Sequence, residues 1–201
     1  MCNAQRQAVE RYFRKYYLFC TKPDVDSLYE LLSAAHSLKD RASTEFGAAM
    51  WSWDEFNALM MLRNYCHHSA EVDHHLKIVV GENLPELITD LGQIILVPIE
   101  VMLAAYDEVS DKRKDAVAKS ADNVFAYFET AVSINPAIFN LTVKIALFVL
   151  ENSIEIECDE FARVEKQLQF ENEHGHPHLV GKGFACHAGS VDEIVDRLFT
   201  V

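Results

Sequence analysis

The chain has 201 residues, half of them hydrophobic, and a formal charge of −13. That length fits one sizeable domain with a real core, and the acidic balance excludes wrapping of nucleic acid by the surface at large, since phosphate binding then depends on a local cluster of cations. No uninterrupted apolar run reaches membrane-spanning length, which argues against a membrane partner, and five scattered cysteines point to reduced thiols instead of a disulfide framework.

Seven glycines and five prolines punctuate the chain sparsely, so long helices are expected. The N-terminal stretch is charged and aromatic without an apolar signal core, and a cytoplasmic protein is expected. Val9, Phe13, Tyr16, Tyr17 and Phe19 against Arg6, Glu10, Arg14 and Lys15 predict an amphipathic helix over 3–20. Asp24 or Asp26 then caps a helix running to about 39. "RASTEFGAAM" is ambiguous because of Gly47. Ser52 or Asp54 starts the next helix, which the pattern carries as far as 80, with Trp51 and Trp53 packing its beginning.

Gly81 and Asn83 stop that element, and Pro85 opens a long apolar helix over 85–109, kinked or split at Pro98. "SDKRKD" is a charged join, and Ser110 or Asp111 caps a helix ending near 134. Asn135-Pro136 marks a turn, "AIFNLTVKIALFVLE" reads as a buried helix, and another helix spans 159–173. "HGHPHLVGKGFACHAGS" is a loop, and "SVDEIVDRLF" closes the chain as a short amphipathic helix. The expected fold class is therefore all-α: a single domain built as an antiparallel helical bundle of about seven or eight helices.

Chemistry concentrates in "LRNYCHHSAEVDHH", residues 62–75. Arg63 is followed by Asn64 and, five positions on, by His68. This resembles the signature of the HEPN superfamily: arginine, a polar residue, three free positions, then histidine. The amphipathic "DEFNALMMLRN" resembles the helix that leads into it. The likeness covers about twenty residues; the rest agrees only as a helical bundle. It implies a HEPN-like core over about 1–110 with a helical extension over about 111–201. It further implies a metal-independent endoribonuclease that needs no cofactor and acts on RNA as a homodimer. Toxin or anti-phage roles, with a nucleotidyltransferase-like antitoxin as partner, are implied by the family alone.

The residue types suit that chemistry. Histidine moves protons near neutrality. Arginine stays charged and offers a planar fork of donors to the oxygens of a phosphorane. Arg63 would stabilise phosphate charge, His68 would transfer protons, and Asn64 would position a histidine or a phosphate oxygen. On an unbroken helix, though, five residues turn the chain by about 140°, so Arg63 shares its face with His67 and not with His68. Either a local break in the helix or a cleft shared by two chains reconciles the motif with the helix, and His67 is an auxiliary candidate.

Two other classes of function compete. Residues 62–75 also read as a solvated helix face, or as part of a non-catalytic nucleotide-binding or protein-interaction module. A metal-binding bundle, di-iron-like or zinc, is the third reading: Glu71 and His74, and Glu171 and His174, are Glu-x-x-His pairs, and His67, Glu71 and His75 form a one-face stripe. His36 reads as a partly buried helix histidine with a hydrogen-bond partner.

Overall fold

The computed structural model describes residues 3–68, 77–80 and 93–182. Eight helices and four short strands are found among them. The predominantly helical class stands as expected, and the strands are additions to it.

Helices α1 (Asn3–Thr21) and α2 (Val25–Arg41) form a hairpin whose apolar faces close on each other. Ala8, Val9, Tyr12 and Phe13 from α1 and Leu28, Leu31, Ala35 and Leu38 from α2 are buried there. Asp24 is the α2 cap. Its carboxylate accepts the Ser27 N–H at 2.6 Å, and the Ser27 hydroxyl accepts the Asp24 N–H at 3.0 Å. "STEFGAAMWS" resolves as α3 (Thr44–Ser52), capped by Ser43. A methyl on Gly47 would meet only the Lys39 carbonyl at 3.6 Å, so this glycine does not break the helix.

Helix α4 (Asp54–His68) runs through the middle of the molecule and touches α2, α3 and three later helices. Phe56, Leu59 and Leu62 have no exposed surface. After it come β1 (Lys77–Val80) and β2 (Gln93–Pro98), an antiparallel pair with Ile78 opposite Ile95. The expected helical ends at 80 and over 85–98 are therefore corrected to strand where they are described. A short, unbroken apolar run rich in β-branched residues is as compatible with a buried strand as with a helix. Pro98, expected as a kink, instead ends the strand and sits at the cap of α5 (Ile99–Asp107).

Helix α6 (Asp111–Val124) starts inside the charged "DKRKD", which is thus its first turn. It stops at Phe125, ten residues before the expected end near 134. In that interval lie β3 (Ala126–Tyr127) and β4 (Ala131–Ser133). The sheet order is β1-β2-β4-β3, antiparallel throughout, with Val97 opposite Val132. The β2 edge beside β4 recruits residues 131–133 into the ladder, a long-range pairing that local pattern does not encode. Helix α7 (Asn135–Glu151) carries Pro136 in its first turn and is mostly buried. Helix α8 (Asp159–His174) lies on α1 and α7, with Phe161 edge-on to Phe13 at 5.0 Å between ring centres. It ends at Gly175, whose φ of 69° is the left-handed cap conformation. Among the described residues no helix is long and apolar enough to cross a membrane.

Candidate functional site

The motif helix is held at its first turn by neighbours from far along the chain. The Asp54 carboxylate accepts the Ser120 hydroxyl at 2.7 Å and the Asn123 amide at 2.8 Å, both from α6. Burial alone pushes the Asp54 carboxyl up; those two hydrogen bonds and the cations Lys144 and Lys119 more than offset it and hold it below its ordinary value. The buried Glu55 takes Lys144 of α7 at 2.6 Å. Adjacent acids thus fix α4 to two helices, while Phe56, Leu59 and Leu62 fix its roll.

That roll sets where the motif stands. Arg63 is half-buried on α4. Its Nη1 donates to Asn64 Oδ1 at 3.2 Å. Its Nε is buried with no hydrogen-bond partner, and no carboxylate pairs with the guanidinium among the described residues. A buried donor left in that state carries a desolvation cost that an incoming acceptor would remove. His67 stands one turn along the same face, exposed.

The residue that sequence reading missed is His36, on α2. Its Nδ1 lies 3.3 Å from Asp40 Oδ2, one turn away. Partial burial lowers its pKa from the ordinary histidine value. Asp40 opposes that shift, and the charges of Arg63, Lys39 and His67 reinforce it. The His36 imidazole thus lies within electrostatic reach of Arg63 and His67. The polar neighbour of His36 is Asp40 at i+4, in an ion-pair contact and not the expected hydrogen bond. The approach to Arg63, from another helix, has no local signature beyond the His36-x3-Asp40 spacing.

Helix α4 continues unbroken through position 68, so within one chain position 68 lies about 140° round the axis from position 63. Arg63 and Asn64 are hydrogen-bonded, His67 follows one turn along the Arg63 face, and His36 feels the charges of both Arg63 and His67, while position 68 falls on a different face of the helix. Glu71, His74 and His75 lie outside the described residues. In the second Glu-x-x-His pair, Glu171 and His174 do not share a ligand position. The Glu171 carboxylate faces His178 Nδ1 at 2.7 Å and accepts Gln167 Nε2 at 2.9 Å. His174 turns its Nδ1 to the Phe170 carbonyl at 2.8 Å and stacks its ring on Phe170. Among the described residues no three His, Cys, Asp or Glu side chains converge as a metal site.

Two hollows are relevant. The wider, about 1020 Å³, is lined by Arg6, Arg41 and Phe148 and by none of the motif residues, and the Arg6 guanidinium there is already paired with Glu10 and Glu157. The smaller, about 330 Å³, lies between α4, α5 and α6 and has Asn57, Asn64 and Arg113 on its walls. It adjoins the motif through Asn64. No protein-family model, curated protein or solved structure matches the chain.

Proposed function

We propose that this chain is a metal-independent endoribonuclease of the HEPN type, cytoplasmic and working as a homodimer. The observation that carries the reading is the Arg63 guanidinium: half-buried, one N–H unsatisfied, without a carboxylate among the described residues, hydrogen-bonded to Asn64, one helical turn from His67 and within electrostatic reach of His36. The buried Nε–H without an acceptor carries a desolvation cost that a phosphate oxygen would remove. A cation kept unpaired next to proton-transfer groups suits an anion that changes charge during reaction.

In this mechanism one imidazole takes the proton of a ribose 2′-hydroxyl as its oxygen attacks the adjacent phosphorus. The bond from phosphorus to the 5′-oxygen breaks, and a protonated imidazole supplies the proton that this leaving oxygen needs. The products are a 2′,3′-cyclic phosphate and a 5′-hydroxyl. Arg63 stabilises the charge on the non-bridging oxygens, and the Asn64 amide, already bonded to Arg63, keeps the guanidinium plane fixed. His68 enters from the second chain, with His67 as auxiliary. A toxin or anti-phage role, and a nucleotidyltransferase-like antitoxin as partner, extend the proposal along the family resemblance.

The test is incubation of purified protein with end-labelled RNA in excess chelator. Cleavage should persist and leave cyclic-phosphate ends, and Arg63→Ala or His68→Ala should slow it by about a hundredfold or more. RNA that is bound without being cut would replace this reading with the nucleotide-binding module. Activity that disappears on chelation and returns with a divalent ion would replace it with the metal-binding one.

A further inference from the structure

Trp51, at the end of α3, was expected to pack against the start of the motif helix. It does touch Phe56, edge-on at 5.2 Å, but 39% of its surface is exposed. Two cations from other helices sit on its ring. The Arg113 guanidinium of α6 is 4.5 Å from the ring centre and the Lys39 ammonium of α2 is 5.1 Å away. Indole–cation contacts of this kind hold side chains in place without neutralising them. Arg113 has no carboxylate partner among the described residues; its Nη2 donates to Asn57 Oδ1 at 3.2 Å.

Two features link this cluster to the surroundings of Arg63. One lies along α2: Asp40 takes Lys39 on Oδ1 at 3.0 Å and His36 on Oδ2 at 3.3 Å, and the Arg63 charge acts on that imidazole. The other is the 330 Å³ hollow, whose walls carry Arg113 and Asn57 and also Asn64, the hydrogen-bond partner of Arg63. Asn57 and Asn64 are seven residues apart on one helix, which is about 10 Å. That distance is the scale of a short run of nucleotides.

From this placement we infer that Trp51, Lys39, Arg113 and the hollow leading to Asn64 form a single-stranded RNA track that delivers the scissile phosphate to Arg63. The inference rests on the ribonuclease reading and adds to it a binding surface. Arg113, which has no carboxylate partner among the described residues, takes a backbone phosphate, and Lys39, shared with Asp40, helps to fix the indole beneath it. The exposed part of the indole offers apolar contact to a base. Asn57 and Asn64 supply amide donors and acceptors along the hollow, and Glu108 an acceptor for a base amine. On a chain of net charge −13, cations held at fixed positions are what local phosphate binding requires. A narrow hollow between helices admits one strand; a duplex, read across its wide minor groove, does not fit it.

The experiment is fluorescence anisotropy of a labelled twelve-nucleotide uridine RNA, with the His68→Ala chain as the non-cleaving host. Arg113→Gln should weaken binding about tenfold and lower the slope of log K against log salt by about 0.7, the single-strand value for one lost phosphate contact. Trp51→Ala should weaken it at least as much, and Trp51→Phe, which keeps a ring under both cations, should restore most of it. RNA should quench tryptophan emission in a Trp53→Phe host, where Trp51 is the remaining indole. The same strand annealed to its complement should bind at least tenfold more weakly. Unchanged affinity in Arg113→Gln and Trp51→Ala, with the salt slope of Arg113→Gln also unchanged and Arg63-dependent cleavage intact in the parent, overturns the track and spares the nuclease. Track-dependent binding by a chain that never cleaves RNA overturns the nuclease and spares the track. Equal affinity for duplex overturns the single-strand assignment.

Discussion

His36 and Arg63 are twenty-seven positions apart in the chain and stand on two helices that pack together, so that the Arg63 charge reaches the His36 imidazole. The consequence for stability follows from the direction of the His36 shift. Its pKa is lower in the folded protein than the ordinary histidine value of about 6.5. The unfolded chain therefore takes up the proton first as pH falls. Stability is full above about 6.5 and declines below it, until the pH passes the folded-state value. The acids Glu10 and Asp54 are lowered as well, but from the carboxylate range, so their window lies at more acidic pH. Burial raises Glu10, but Arg6 and the Glu157 N–H more than offset it, so both acids lose their contribution only as pH falls through their lowered pKa values. The two windows are separable. Urea unfolding midpoints at pH 7.5 and 5.5 should fall for the wild-type chain and fall less for His36→Gln. An equal decline in both would show that another group titrates there.

At the scale of elements, two glycines in helical settings play opposite parts. Gly47 lies inside α3, and its added methyl would make an ordinary contact at 3.6 Å. Gly47→Ala should therefore stabilise the protein by about 0.5–1 kcal/mol, the helix preference of alanine over glycine. Gly175 has open space around it but a φ of 69°. Gly175→Ala should destabilise by about 1 kcal/mol through backbone strain alone. Chemical denaturation of the two variants reads both signs, and a loss in Gly47→Ala would mean that α3 resists even this small side chain. The strands follow a different logic. Gln93–Pro98 and Ala131–Ser133 are apolar runs whose local pattern suits helix or strand equally, and pairing with each other decides between them. The four-stranded sheet they build positions α5 and α7 against α4.

For the whole molecule, the unbroken course of α4 through position 68 bears on how the proposed site is assembled. If Arg63 of one chain works with His68 of the other, inactive variants should complement. A dimer of one Arg63→Ala chain and one His68→Ala chain contains one intact site of two. Random mixing makes half the dimers of that kind, so about a quarter of wild-type activity should return. Mixing the variants, allowing exchange and measuring RNA cleavage tests this. No recovery would place both residues' action within one chain, where the helix keeps them on different faces.

The amino-acid sequence by itself was enough for the helical class, for the Asp24 cap, for the start of α4 near Asp54 and for the extent of α8. Each rests on residues a few positions apart, and short-range spacing is what helices and their caps read. It also singled out Arg63 and Asn64, and the i+4 relation of Arg63 to His67. Only the tertiary structure turned residues 93–98 and 131–133 into strands, put His36 within electrostatic reach of Arg63, set Lys39 and Arg113 on Trp51 and turned His174 away from Glu171. Those outcomes depend on contacts between distant segments, whose energies come from burial and pairing across the fold and leave no period in the chain.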